Sequence, residues 1–173
     1  MNLVFALDHV TDVQNGKDAK KACQDFLDGL KYSELDESSK IYKMAKECVI
    51  FTTEIPNAHW FSESSFKARF MPTGGAGVNN GRRFFDFCET YAQSVVKEAE
   101  LRERGEVLGL EEFTHHRRNT SGVMPCFSLG EIMLGIDLDD KVYGDPTFRD
   151  AYLAAVDHIF WSNVREDTIL MMD

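Results

Sequence analysis

The sequence has little proline, no closely spaced cysteine pair, no long apolar run and a deficit of basic charge. Four prolines in 173 residues are too few for a small, turn-rich β domain, and thirteen phenylalanines fit a helix-rich interior better. The four cysteines, Cys23, Cys48, Cys88 and Cys126, form no CxxC pair, and no histidine stands at finger-like spacing from two of them. A structural zinc site is therefore not expected, and the cysteines read as free, buried thiols of a reducing compartment. No apolar run reaches the roughly 18 residues that a membrane span needs. The apolar start, Met1–Leu7, lacks a basic flank and meets Asp8 at once, so it is not read as a signal peptide, and a cytoplasmic location is expected. With 29 acidic against 19 basic residues and a net charge of −10, the field repels phosphate backbones, and no nucleic-acid partner is expected.

What the chain does have is apolar periodicity. At 43% hydrophobic it can bury a core, and its length suits one domain. Residues 2–14 read as the end of an apolar helix running into Asp8-His9-Val10-Thr11-Asp12. Ala22, Phe26, Leu27 and Leu30 recur at helical spacing in 17–31, and Ile41, Met44, Ala45, Cys48 and Val49 do so in 36–50. Residues 51–80 are read as an irregular connection, broken by Pro56, Pro72 and Thr73-Gly74-Gly75-Ala76-Gly77. That glycine cluster is not a phosphate loop, because no predicted strand precedes it and no Gly-Lys-Ser/Thr follows.

The clearest helix spans 81–104. Phe84, Cys88, Tyr91 and Val95 form one stripe, and Phe85, Ala92, Val96 and Ala99 the next. Its far end, Lys97–Arg104, reads as a solvated charge run stopped by Gly105. Two short helices are predicted at 109–121 and 126–135, separated by Ser121-Gly122 and Pro125. The last begins at Asp145-Pro146, with Asp as N-cap and Pro in the first turn. There Phe148, Tyr152, Ala155 and Ile159 make a stripe, with Leu153, Val156 and Phe160 beside it. No β alternation is found, so the fold class is all-α.

Three polar features interrupt these helices. Asp8 and Asp12, at i and i+4, put two like charges on one face. A hard cation such as Mg2+ between them would relieve the repulsion, although solvated acids at a helix end have the same spacing. Arg117 and Arg118, beside the Ser121-Gly122 break, can hold a phosphate bidentately or simply complement a helix C-terminus. The adjacent histidines His115 and His116 point about 100° apart on a helix and have no evident third ligand. Asn163, after Trp161-Ser162, can ligate a metal or satisfy a helix end.

Together the three resemble a known arrangement. LDHVTD at 7–12 is similar to the aspartate-rich motif of class I terpene synthases, RRNTSG at 117–122 to the Arg-Arg-x-Thr-Ser-Gly stretch of the fungal members, and Ala155–Asn163 to the helix entering their second metal motif. The resemblance implies an all-helical bundle of the class I terpenoid synthase type, incomplete here. It implies a prenyl diphosphate partner, of which the fifteen-carbon farnesyl diphosphate is expected, and three Mg2+ ions that pull off diphosphate and leave a carbocation to cyclise. Mapped by motif, Asp8 is the principal metal ligand, Asp12 a secondary one and Asn163 the first ligand of the second motif. One of Arg117 and Arg118 senses diphosphate. Distance to Gly122 favours Arg118, and distance to Asn163 favours Arg117. The Ser121-Gly122 carbonyls would lie where ionisation occurs.

The chain also departs from the family. His9 replaces an acid, and Val164, Asp167 and Met171 stand where Asp, Ser and Glu are expected after Asn163. Asp167 has a hard donor, and Met171 does not. Likeness stops after Asn163, so the chain is expected to be a partial catalytic domain, with Val164-Arg165-Glu166 read from an unspliced intron. The alternative is a noncatalytic relative, either a degenerate cyclase or a helical interaction protein.

Overall fold

The computed structural model describes residues 2–31, 39–53 and 78–170, with side chains for 7–31, 39–46, 79–132 and 134–163. Every regular element among these residues is a helix: α1 (Asn2–Thr11), α2 (Gly16–Lys31), α3 (Lys40–Thr53), α4 (Val78–Arg104), α5 (Leu110–Thr120), α6 (Val123–Leu134), α7 (Asp140–Gly144) and α8 (Pro146–Leu170). The long α4 is the centre of the packing. It touches α1, α2, α5 and α6, while α8 packs on α5, α6 and α7.

The core follows the predicted stripes. Phe84, Cys88, Tyr91, Ala92 and Val95 of α4 meet Ala22, Cys23, Phe26, Leu27 and Leu30 of α2, together with Leu7 and Ala45. Tyr42 is also buried, on an α3 face the spacing did not single out. Cys23 and Cys88 are buried as expected, Cys126 is only half-buried, and burial pushes the Cys23 thiol up to about 12. Cys48 has its side chain outside the described residues.

Helices α2 and α3 cross closely at Gly29. A Cβ there would sit 2.5 Å from the Tyr42 carbonyl oxygen and 2.8 Å from the Ala45 Cβ. Backbone cannot yield as a flexible side chain can, so the two helices must separate to admit a methyl group. Gly29→Ala is expected to cost about 1–3 kcal/mol, read as a lower denaturant midpoint. An unchanged midpoint would show that the contact is slack.

The helix ends explain the chain's punctuation. At the end of α4, Gly105 has φ +65°, the Gly105 N–H donates to the Arg102 carbonyl, and the Glu106 N–H donates to the Leu101 carbonyl. Gly135 closes α6 in the same way, through Ile132 and Glu131. Glycine tolerates the left-handed residue these closures need. Asp145 caps α8 as predicted, accepting from the N–H groups of Thr147 (2.9 Å) and Phe148 (3.0 Å).

Four expectations are corrected. The irregular stretch 51–80 is helical at both described margins, because Phe51–Thr53 complete α3 and Val78–Asn80 begin α4. Its middle, 54–77, lies outside the described residues. Pro125 does not separate two helices. It sits in the first turn of α6, where its missing N–H removes no helical bond. On α8 the buried stripe is Val156 and Phe160, whereas Ala155 is exposed. The run 97–104 is not merely solvated: Ala99 and Leu101 are buried, and Arg102 and Glu103 bond to the α1–α2 connection.

The short α7 was not foreseen. It follows a turn whose acids organise the start of α4. Asp137 accepts from the Asn80 N–H at 2.8 Å and from the Asn79 side-chain amide at 3.3 Å, while the Asn80 amide donates to the Ile136 carbonyl at 2.7 Å. The carboxylate thus satisfies otherwise orphaned donors at a helix N-terminus, where the dipole favours negative charge.

Candidate metal and diphosphate site

α1 delivers the first acids. Leu7 and Thr11, one turn apart, are buried and fix which face of the helix turns inward. The Thr11 hydroxyl donates back to the Leu7 and Asp8 carbonyls at 2.9 and 3.0 Å. Arg102 reaches across from α4 and donates to the Thr11 carbonyl at 2.8 Å. A cation at a helix C-terminus both fills an orphan acceptor and complements the dipole. α1 ends at Thr11, but the Asp12 N–H still bonds the Asp8 carbonyl at 2.9 Å, so the i, i+4 relation of the two acids persists.

Asp8 is half-buried, and its carboxyl is pushed up to about 6. Burial is the largest cause, followed by the negative charge of Asp12, with Glu98 adding to it. Arg117 and a hydrogen bond from the Tyr91 hydroxyl oppose the rise. Tyr91 is 1% exposed, and burial together with Asp8 holds its phenol protonated. The surroundings of Asp8 are therefore rich in negative charge, with the Arg117 guanidinium within electrostatic reach. Two hard carboxylates crowded in this way suit Mg2+, which takes one or two protein carboxylates and fills its remaining positions with water and phosphate oxygens. Among the described residues no group of three or more His, Cys, Asp or Glu side chains is placed to hold a metal.

The two arginines part company. Arg117, on α5, lies within electrostatic reach of Asp8 and donates to the Thr120 hydroxyl at 3.4 Å. Arg118 turns to α8 and holds Asp157 with two parallel bonds, Nε–Oδ1 at 2.6 Å and Nη2–Oδ2 at 2.7 Å. Between α5 and α6 the chain breaks at Ser121-Gly122. Gly122 has φ +69°, and the Ser121 hydroxyl donates to the Arg118 carbonyl at 3.2 Å while accepting from the Val123 N–H at 3.4 Å. A side chain at 122 would be strained by its backbone. Gly122→Ala is expected to cost about 1–2 kcal/mol and to disturb the break, seen as a lower melting temperature.

Asn163 lies seven residues past Val156 and three past Phe160, so it continues the buried stripe of α8 beyond the packed region. It is exposed there. The Asp167 side chain lies outside the described residues. His116 is buried, with its Nε2 3.8 Å from Glu98, while His115 is exposed.

Sequence reasoning missed Tyr91, Glu98, Arg102 and Asp157. Tyr91 was read as one member of an apolar stripe. Glu98 and Arg102 lay within a run read as solvated. Asp157 had a signal, its place in the segment resembling the second metal helix, but nothing in the chain said which arginine it meets.

A helical core that brings an acidic helix end, a buried tyrosine and an arginine beside a helix break to one place has the architecture of the class I terpenoid synthases. The chain belongs to the terpene synthase family: residues 1–163 match the model described as terpene synthase family 2, C-terminal metal binding. Among its relatives, the bifunctional terpene synthase Agr4 of Cyclocybe aegerita is 44% identical over 163 residues, covering 94% of this chain and 42% of that protein. A Coprinopsis cinerea protein named linoleate 10R-lipoxygenase COP4 is 42% identical, with 94% and 41% covered. Viridiflorene synthase Agr2 of Cyclocybe aegerita is 33% identical, with 94% and 36% covered. The chain thus spans well under half the length of these relatives. The family match ends at residue 163, the point after which the likeness was expected to stop. No described helix is long and apolar enough to cross a membrane.

Proposed function

We propose that this chain carries the metal- and diphosphate-binding part of a terpene synthase that ionises a prenyl diphosphate. The observation that carries the reading is that Arg117, over a hundred residues away in sequence, stands within electrostatic reach of Asp8, whose carboxyl is raised by burial and by the charge of Asp12. In this reading Asp8 and Asp12 hold Mg2+, Arg117 binds the diphosphate, and the break at Ser121-Gly122 offers its carbonyls nearby. Asn163 contributes a further metal ligand, with Asp167 as an auxiliary donor. The family resemblance gives three ions. A bound divalent cation supplies Lewis-acid stabilisation of the departing diphosphate. Relatives named viridiflorene synthase and sesquiterpene synthase support farnesyl diphosphate as substrate and a sesquiterpene as product.

A noncatalytic reading has its own support. Val164 and Met171 stand where ligands are expected, which leaves the second motif with Asn163 as its one matching donor. The two readings separate in one experiment. Mg2+ with inorganic diphosphate is expected to raise the melting temperature, and ligand at about 100 times its Kd contributes about 2.7 kcal/mol. Neither component alone is expected to give the full shift. With farnesyl diphosphate, little or no turnover is expected from these 173 residues, because the second motif is depleted. No shift with Mg2+ and diphosphate together would overturn the proposal in favour of the noncatalytic reading. Robust cyclisation would show that the depleted motif suffices.

A further inference from the structure

Of the arginine pair, the motif alone does not say which is the ligand and which serves another purpose. We infer that Arg118 and Asp157 are a positioning clamp, which ties the helix break beside Arg117 to α8 within two turns of Asn163. The inference rests on the proposed function for its consequence, but not for its geometry.

Four observations point to a clamp. The contact is bidentate, with bonds of 2.6 and 2.7 Å, a geometry that fixes direction as well as distance. It joins α5 to α8 across 39 residues of sequence. Both ends are backed by structure. The Arg118 carbonyl accepts the Ser121 hydroxyl bond at the break, and Asp157 follows the fully buried Val156. The two side chains are 28% and 26% exposed, sheltered enough that water does not displace the pair and open enough that its desolvation cost is small. The pair also raises the Arg118 guanidinium and lowers the Asp157 carboxyl, each through the other.

With both carboxylate oxygens on Nε and Nη2, one bidentate edge of the guanidinium is occupied and its charge is already balanced by a carboxylate. Among the described residues Arg117 has no such carboxylate partner, and its bond is to the neutral Thr120 hydroxyl. The division of labour follows. Arg117 meets the anion, and Arg118 fixes where Arg117 and Asn163 stand relative to each other. Asp157 lies six residues before Asn163, under two turns of helix, so a fixed Asp157 limits the sweep of the exposed Asn163.

The test is a charge swap in the full chain. R118Q and D157N are each expected to weaken binding of Mg2+ plus inorganic diphosphate about fivefold, the scale of one part-buried bidentate pair. The double variant R118D/D157R restores the opposite-charge pair in reverse and is expected to recover most of that loss. If Arg118 were itself the anion ligand, D157N would leave binding intact or tighten it, and the swap would not rescue, because the guanidinium would stand on the wrong helix. Either result overturns the clamp.

A second readout needs no ligand. Amide hydrogen exchange at residues 158–163 is expected to accelerate about fivefold in both single variants and to slow again in the swap. Unchanged exchange in R118Q would overturn the clamp. If the unaltered chain fails to bind Mg2+ and diphosphate at all, the proposed function fails, and the exchange pattern still decides the clamp.

Discussion

Asp8→Asn is expected to do two opposite things: to stabilise the metal-free chain at pH 8 and to abolish its response to Mg2+ with diphosphate. The first follows from proton linkage. The folded carboxyl titrates at about 6, above the ordinary value of 3.8, so between these limits the native chain binds more protons than the unfolded one. Stability therefore falls as pH rises from about 4 to about 6 and stays lowered above that. An asparagine carries no such cost. The gain at pH 8 is on the order of 1–2 kcal/mol, after allowance for solvent screening of a half-buried carboxyl, or a few degrees in melting temperature. The gain should vanish near pH 3.5, where the carboxyl is protonated in both states. The second effect follows because the charge that destabilises the empty site is the charge that would attract the cation. A variant that melts higher without metal and no longer shifts with Mg2+ and diphosphate is the signature. If Asp8→Asn keeps the full shift, Asp8 is not the metal ligand.

Glu131→Ala is expected to cost about 3 kcal/mol, near the lower end for breaking a buried ion pair. Arg83 is 8% exposed in its side chain and donates to Glu131 at 3.1 Å, to the Leu138 carbonyl at 2.7 Å and to Asp140 at 3.2 Å. Its guanidinium also lies 4.2 Å from the Tyr143 ring centroid, and the Tyr143 hydroxyl donates to Glu131. Removing Glu131 leaves a buried cation with one carboxylate, at the exposed Asp140. It also strands the phenol of Tyr143, which burial and Glu131 together hold protonated. The melting temperature should fall by about 6–12 °C. A buried charge is costly chiefly when its partner is missing, so Arg83→Met combined with Glu131→Leu should be milder than Glu131→Ala alone. Equal or greater damage from the pair would show that the network contributes more than charge balance.

This network and the contacts around the aspartate pair occupy different parts of α4. Arg83 lies near the start of α4, whereas Tyr91, Glu98 and Arg102 lie further along the same helix, on the way to its C-terminus. One helix thus anchors the α6–α7 turn with its first turns and the aspartate pair with its last. That is why Arg102 and Glu103 both reach the α1–α2 connection, through the Thr11 carbonyl at 2.8 Å and the Gly16 N–H at 3.3 Å.

Much of the architecture was legible in the chain because helix formation leaves a local record. The period of Phe84, Cys88, Tyr91 and Val95 named the buried face of α4, Gly105 named its end, and Asp145-Pro146 named the start of α8. These signals are carried by residues within a few positions of one another, and backbone geometry alone relates them. The motif order likewise identified the family and put Asp8, Asp12, Arg117, Arg118 and Asn163 forward as candidates. What the sequence could not determine is which of these meet. Arg117 and Arg118 are neighbours of identical chemistry, yet adjacent helical residues point about 100° apart, so one lies within electrostatic reach of Asp8 and the other bonds Asp157. Glu98 and Arg102 look like any charged helix end until α1 is set beside them. The buried stripe of α8 runs through Val156 and Phe160 because of where α6 lies, not because of a difference in hydropathy. Local periodicity chose the helices and their inward faces. Only the packing of those faces, by bringing residues from distant helices into contact, decided which charge is paired, which is crowded and which remains open to a ligand.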